Sequence, residues 1–146
     1  IDSEDQVINR WILPTHDHRL IQWGDYIPQE TMFWRRSLWE RVGGMINEQF
    51  QFAMDWDLIL RFRRAGARFY RLPHLLAAFR ITDQQKTSQL LASVGRRESN
   101  LLRRQELGFI PSDEEVARQF KKYIRRHWWA EKLYSVQEQF GLRERF

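Results

Sequence analysis

The chain has 146 residues, of which 42% are hydrophobic and 29% charged, a balance typical of a globular protein rather than a disordered one. It contains no cysteine, which excludes disulfides and cysteine-ligated zinc, and it has no apolar run near the roughly 20 residues that a membrane-spanning helix needs. The net charge of +5 favours anionic partners such as phosphates, nucleic acid or anionic lipid.

The first part of the chain predicts two short strands separated by helical turns. Residues 6–13, QVINRWIL, have the composition of a strand, and Pro14 ends it. The following HDHRLIQWG predicts a short helix that Gly24 stops. Residues 30–36 predict the second strand. Ser37 with Glu40 then matches a capping box, and Gly43 ends the short helix that this box begins.

The central segment predicts a helix followed by two more strands. Leu58, Phe62 and Ala65 share one face of a helix over residues 55–65, and Gly66 is a C-terminal signal. Residues 67–73 and 75–81 then predict two strands that Pro73 separates. This alternation of strand and helix is typical of a mixed α/β fold.

The last part of the chain predicts helices alone. Capping boxes at residues 82–85 and 112–115 precede two stretches with helical apolar spacing, residues 83–107 and 113–138, which Gly108 and Pro111 separate. We therefore divide the chain into a mixed α/β region over residues 1–82 and a helical C-terminal extension over residues 83–146.

Two acids, Asp55 and Asp57, stand at the predicted start of the central helix. Either carboxylate can serve the structure, because an acid at the N-cap or in the first turn accepts free backbone N–H groups and complements the helix dipole. Asp57 also stands one turn before Arg61, a favourable pair. A helix start can equally point an acid into a cleft, so both roles stay open for Asp55.

Other polar patterns carry less specific signals. His16, Asp17 and His18 are adjacent, and ligands so close together rarely complete a metal site, which favours a polar loop. Gly43-Gly44 lacks the residues of a phosphate-binding loop. Residues 118–134 interleave basic and aromatic side chains, which suits nucleic acid or an anionic membrane, although apolar residues at helical spacing favour a docked amphipathic helix.

Several motifs occur in a fixed order between residues 27 and 88. They are Pro-Gln before an aromatic strand, Leu-Trp-Glu-Arg-Val-Gly-Gly, an Asp-Trp-Asp-Leu-x-Leu-Arg helix, Pro-x-x-Leu-Ala, and Arg followed by Lys-Thr-Ser. In this order they resemble the second half of the bacterial family 2 glycosyltransferases, which are inverting enzymes of GT-A fold. The Gln-x-x-Arg-Trp motif of the processive synthases is absent, which argues against a polymer-extruding enzyme.

The resemblance implies transfer of a sugar from a nucleotide-sugar donor to an acceptor hydroxyl with inversion. It assigns Asp55 as the general base, which takes the proton of the attacking hydroxyl. The remaining site residues that it implies fall into two groups. The substrate-binding group is Gln29, Glu30, Trp34, Trp56, Asp57 and Arg61, with core packing an alternative for both tryptophans, and the group facing the donor phosphates is Arg80 and Lys86.

The resemblance also implies a nucleotide-binding half before Ile1, with a metal-binding Asp-x-Asp. The expected cofactor is therefore a divalent metal, Mg²⁺ or Mn²⁺, whose ligands lie mostly outside this chain, and the chain alone is expected to be inactive. The expected partners are the donor and a saccharide or lipid-linked acceptor, in the cytoplasm, with peripheral contact to the cell membrane through the C-terminal helices. The alternative is a non-catalytic basic and aromatic module that binds a protein or, less favoured, nucleic acid.

Overall fold

The structure, a computed structural model, describes residues 1–72, 74–81 and 91–140. Within these residues the regular elements are helical. Single turns of 3-10 helix lie at Leu20–Gln22 and Gln29–Thr31, and a π-helical turn at Leu91–Gly95 leads into the third of the α-helices. The α-helices are α1 (Arg36–Arg41), α2 (Met54–Arg64), α3 (Arg96–Leu107) and α4 (Asp113–Gln139).

The predicted mixed α/β fold is wrong for the residues that the structure describes, because none of them forms a strand. Residues 6–13, 32–35, 67–72 and 75–81 lack regular structure, residues 30 and 31 belong to a 3-10 turn, and residue 36 begins α1. In the part of the chain that the structure describes, extended segments pair at Ile1, whose amino group donates to Phe79 O at 2.8 Å and whose carbonyl accepts from Ile81 N at 2.9 Å. Strand-like composition yields a strand only where neighbouring segments supply a continuous ladder.

The predictions for α2 and α4 are confirmed by local contacts. Gly66 ends α2 with a φ of +77°, a conformation that glycine adopts without strain. At the start of α4, Ser112 N donates to Glu115 Oε2 at 2.8 Å, and Glu115 N donates to Ser112 Oγ at 3.2 Å. These reciprocal bonds form the predicted capping box. Gly108, with a φ of +83°, ends α3 as expected.

The predicted capping box at Ser37 is wrong. Helix α1 begins at Arg36, and its N-cap residue Arg35 makes no side-chain capping bond. Glu40 instead pairs with Arg36, whose Nε lies 2.8 Å from Glu40 Oε1. The i,i+4 attraction between opposite charges therefore replaces the reciprocal cap. The capping box predicted at residues 82–85 lies outside the described residues.

One apolar core joins α2 to both helices of the C-terminal region. Its buried members include Ile21, Ile59 and Leu60 from the first part of the chain, Leu102 from α3 and Tyr123 from α4. Each fully buried aliphatic side chain contributes roughly 2 kcal/mol to stability. Residues from the predicted α/β region and from the predicted extension thus pack against one another.

Polar contacts fix the helices around this core. Trp56 is buried, and its Nε1 donates to Ile21 O at 2.8 Å. Arg63 of α2 reaches Glu106 of α3 with an N–O distance of 3.1 Å. Arg103 of α3 donates from Nε to Trp23 O at 2.8 Å. These contacts hold α3 beside the start of the chain and beside α2, so the orientation of the first turn of α2 depends on α3.

Candidate active site

Three carboxylates, Asp25, Glu30 and Asp55, cluster at the start of α2, where the charge of one acts on another. Asp55 lies in the first turn of this helix, and Glu30 lies in the 3-10 turn Gln29–Thr31. Asp25 precedes that turn and accepts a hydrogen bond on Oδ1 from Ile27 N at 3.0 Å. The negative charge of Glu30 acts on both aspartates, and that of Asp55 acts on Asp25. A nearby like charge disfavours the ionised form of a carboxyl group and so raises its pKa.

The pKa of Asp25 is the most strongly affected in this cluster. Burial of its carboxylate and the charge of Asp55 raise its pKa to about 7, against the pull of backbone N–H donors at Ile27 and Tyr26. The residue as a whole is exposed, so solvent reaches it. A carboxyl group with this pKa exchanges protons near neutral pH.

Asp55 is half-buried, and burial also raises the pKa of its carboxyl group. Its Oδ1 accepts from Trp56 N at 2.8 Å, a bond that opposes this rise, while the charge of Glu30 adds to it. Asp55 does not serve as the N-cap, because α2 begins at Met54 after Ala53. The sequence leaves two roles open for Asp55, one at the helix start and one toward a cleft. Its first-turn position allows both, because Oδ1 bonds to Trp56 N and the second carboxylate oxygen is left for another partner.

The segment before Asp55 is held by Glu98, a carboxylate from α3. Glu98 Oε1 accepts from Gln51 N, and Oε2 accepts from Phe52 N and Ala53 N, each at 2.9 Å. The side chain is buried, and burial alone would raise its pKa, but these three donors bring the pKa below its ordinary value. Glu98 thus holds the N–H group of the N-cap residue Ala53 and those of the two residues before it, which fixes the entry of the chain into α2.

Asp57 and Arg61, two of the predicted substrate-binding residues, form a structural bridge. Asp57 is only 4% exposed, and its Oδ2 accepts from Arg61 Nε at 2.9 Å. The other nitrogens of Arg61 donate to Val42 O at 3.0 Å and to Met45 O at 2.9 Å. These bonds of the Arg61 guanidinium hold the loop after α1 against the side of α2. A role toward the acceptor stays a prediction.

The two predicted sugar-stacking tryptophans lie in different surroundings. Trp56 is 3% exposed and belongs to the core, as in the packing alternative. Trp34 is 42% exposed, and its ring packs against Phe62, with centroids 5.5 Å apart, and stacks on Trp39, with centroids 6.1 Å apart. Gln29, also predicted to bind substrate, is exposed in the same 3-10 turn as Glu30. Trp34 therefore keeps ring surface that a ligand can reach.

The predicted donor-phosphate residues are engaged elsewhere or lie outside the description. Arg80 donates from NH1 to Asp2 O at 2.7 Å and forms an ion pair with Asp5. Lys86 lies outside the described residues. The role of both residues toward a diphosphate stays a prediction.

The described residues do not offer a ligand set for a metal. No group of three or more His, Asp or Glu side chains among them is arranged to hold an ion. His16 Nδ1 lies 2.8 Å from Tyr26 Oη, and that hydroxyl donates to the backbone carbonyl of Asp17 at 2.9 Å. The divalent metal expected from the resemblance, with ligands mostly outside this chain, stays a prediction.

Asp25 and Glu98 are the functional residues that the sequence does not reveal. Asp25 follows Gly24 in a segment without periodicity, and its altered pKa depends on Asp55, which is distant in sequence. Glu98 lies in a polar helix and caps a segment 45 to 47 positions earlier. Capping patterns are recognised over three residues, so such a cap has no local signal.

Comparisons of the chain with protein-family models, characterised proteins and solved structures return no match. The resemblance to the family 2 glycosyltransferases is therefore corrected on two grounds. The matched motifs do not satisfy a family model, and the described residues contain no strand, whereas a GT-A fold requires a sheet. Short motifs in series can arise from helix starts, helix ends and turns, which many folds share.

Proposed function

We propose that this chain supplies the hydroxyl-activating base of a glycosyl transfer, with Asp55 as that base. In the proposed reaction a sugar passes from a nucleotide-sugar donor to an acceptor hydroxyl with inversion. The observation that supports this proposal is the coupling of Asp25, Glu30 and Asp55 at the entrance of α2. A carboxyl group whose pKa is raised toward neutrality, as that of Asp25 is, is suited to proton transfer.

The proposed step balances in charge and atoms. The acceptor oxygen attacks the anomeric carbon from the face opposite the leaving group, and its proton passes to the Asp55 carboxylate as the new C–O bond forms. The bond between the anomeric carbon and the donor phosphate oxygen breaks, and the nucleoside diphosphate leaves with the electron pair. Attack from the opposite face inverts the anomeric centre. General-base assistance of this kind contributes about 100-fold to 10,000-fold in rate.

The pKa values of Asp25 and Asp55 are both raised. Burial and the charge of Asp55 raise the pKa of Asp25 to about 7, so the Asp25 carboxyl group exchanges its proton near neutral pH. The half-buried surroundings of Asp55 strengthen it as a base, because a raised pKa increases proton affinity.

The proposal assigns the acceptor side of the reaction to this chain. Trp34 offers an exposed ring surface of the kind that packs against the apolar face of a sugar. The ion pair of Asp57 and Arg61, together with the bond from Arg61 to Val42 O, keeps the loop after α1 fixed beside α2. Arg80 and Lys86 remain the proposed contacts to the donor diphosphate, and the proposed location is the cytoplasm.

The deciding experiment measures nucleoside diphosphate release by the protein at its natural length. The donors are UDP-, GDP- and dTDP-sugars, and the acceptors are pooled saccharides and lipid-linked saccharides. We expect Asp55→Asn to lower kcat at least about 100-fold while donor affinity stays near the wild-type value, because the proton acceptor alone is lost. Asp113→Asn, an exposed aspartate at the start of α4, is the matched control.

Two results would contradict the proposal. Wild-type turnover in Asp55→Asn would remove Asp55 as the base. Absence of diphosphate release with every donor, in a protein that is folded by circular dichroism, would remove glycosyl transfer itself.

A further inference from the structure

Helix α4 has one face against the core and another that the described residues leave uncovered. On the held face Tyr123 is buried, and His127 Nδ1 lies 2.6 Å from Ile12 O. The ring of His127 also stacks on Trp11, with centroids 5.4 Å apart. These contacts fix the rotation of α4 about its own axis, so the opposite face points consistently away from the core.

The C-terminal half of the uncovered face is an apolar stripe. Trp129, Leu133, Val136 and Phe140 follow one another at spacings of four, three and four residues, which places them on one side of a helix. All four are exposed, Trp129 at 64% and Phe140 at 70%. Phe140 N donates to Val136 O at 3.1 Å, so the helical turn extends to the end of the stripe. We call these residues the apolar stripe.

The N-terminal half of the same face is basic. Arg118, Lys122 and Arg125 precede Trp129 at helical spacings, and Arg126 lies beside them; all are exposed. We call these four residues the basic cluster. Between Val116 and Gln137 the helix carries a single acidic residue, Glu131. Its Oε1 lies 3.4 Å from His127 Nε2, toward the held face. The uncovered face therefore presents apolar and positive groups with no acid between them.

We propose that this face docks α4 onto an anionic lipid surface, lying in the plane of the interface. Basic side chains attract anionic headgroups, and a neighbouring stripe of Trp and aliphatic residues inserts into the boundary with the acyl chains. Trp is suited to that boundary because its ring is apolar while its N–H is polar. No helix in residues 1–72, 74–81 and 91–140 is long and apolar enough to cross a membrane.

Charge and side-chain shape select lipid over the other candidate occupants. A second copy of the chain would bring the same basic cluster to the interface, and like charges oppose such pairing. Nucleic acid would satisfy the cluster, but Leu133 and Val136 have no flat ring on which a base can stack. The docking goes beyond the proposed glycosyl transfer and does not depend on it.

Co-sedimentation of the full chain with lipid vesicles tests the proposal. Vesicles of phosphatidylcholine alone are compared with vesicles that also contain phosphatidylglycerol. We expect strong binding to the anionic vesicles, weak binding to the neutral ones, and a decrease with added salt as the charges are screened. Equal binding to both vesicles, or no binding to either, would overturn the proposal.

Paired variants test the two halves of the face separately. Lys122→Gln with Arg126→Gln should weaken binding about 25-fold, since each basic residue contributes about fivefold. Trp129→Ser with Leu133→Ser should weaken it at least about tenfold. The controls are Arg68→Gln for charge and Met45→Ser for apolar surface, because Met45 and Trp129 are equally exposed at 64%. All four side chains changed in α4 are exposed, so the helical circular dichroism should not change.

Three outcomes would assign the face to another occupant or to none. Unchanged vesicle binding in both paired variants would show that lipid binds elsewhere. A tight complex with duplex DNA that loses affinity only with the lysine and arginine changes would assign the face to nucleic acid. Dimerisation in analytical ultracentrifugation that Trp129→Ser abolishes would assign it to a second copy. Each of these results overturns the lipid proposal.

Discussion

The contact between Glu98 and the entrance of α2 yields the sharpest stability prediction. The perturbation is Glu98→Gln, which preserves size and removes the charge. In the wild type the carboxylate accepts from three backbone N–H groups at 2.9 Å while it is 5% exposed. The amide of glutamine has one acceptor oxygen, and its NH₂ group would face at least one of the donors.

The magnitude follows from these three bonds. Hydrogen bonds to a charged partner contribute about 1.5–3 kcal/mol each, and neutral ones about 1 kcal/mol. In the variant at best two neutral bonds remain, and one buried N–H loses its acceptor. Because contributions of neighbouring bonds are not additive, we expect the free energy of unfolding to fall by about 3 kcal/mol.

The effect should depend on pH with a defined sign. The folded pKa of Glu98 lies below its ordinary value of 4.5, so the folded state favours the ionised form. Its contribution is complete above the unfolded pKa and is lost as the pH falls through the lower folded pKa. The difference between wild type and variant should therefore be full at neutral pH and should narrow in acid below about pH 4.

Urea unfolding followed by far-UV circular dichroism measures this difference. Glu48→Gln is the control, because Glu48 is exposed in the nearby loop and its change should alter stability by less than about 0.5 kcal/mol. A Glu98→Gln variant as stable as this control at neutral pH would refute the reasoning. So would a deficit that stays constant as the pH falls below the folded pKa.

Three further predictions concern α2 and its surroundings. Arg61→Ala should lower the free energy of unfolding by about 3 kcal/mol, because it leaves the buried Asp57 carboxylate without its partner; urea unfolding measures this, and a loss under about 0.5 kcal/mol would contradict it. In Asp55→Asn the Asp25 carboxyl should titrate at lower pH than in the wild type, as observed by carbon NMR, since a like charge is removed; an unchanged titration would mean that the two groups do not interact. Gly66→Ala should raise no clash but should cost about 1 kcal/mol at its φ of +77°, seen as a lower thermal midpoint, and an equal or higher midpoint would contradict it.

The sequence correctly predicts those helix starts and helix ends whose signals lie within a few neighbouring residues. The start of α4 is recognisable because Ser112 and Glu115 cap it within one turn, and the end of α2 because Gly66 adopts a conformation that other residues avoid. Both signals depend on neighbours in the chain, so spacing alone reveals them. The helical part of the C-terminal region follows from the same kind of information.

The failed predictions depend on partners that spacing does not specify. Residues 67–72 and 75–81 have strand-like composition, yet a ladder needs a second segment, and Ile1 supplies only one residue of pairing. In the candidate site, Asp55 is recognisable as an acid at a helix start. Burial and the charge of Asp55, which is distant in the chain, raise the pKa of Asp25, and the carboxylate of Glu98 reaches Ala53 N from 45 positions away.

The cap from Glu98 also gives the entrance of α2 an unusual exchange behaviour. Amides just before a helix, like those of its first turn, have no partner within the helix and normally exchange with solvent quickly. Here the amides of Gln51, Phe52 and Ala53 are held by a side chain of α3. Their hydrogen exchange therefore reports how often α3 separates from the start of α2. Three backbone positions beside Asp55 thus serve as a built-in probe of an opening between helices that are far apart in the chain.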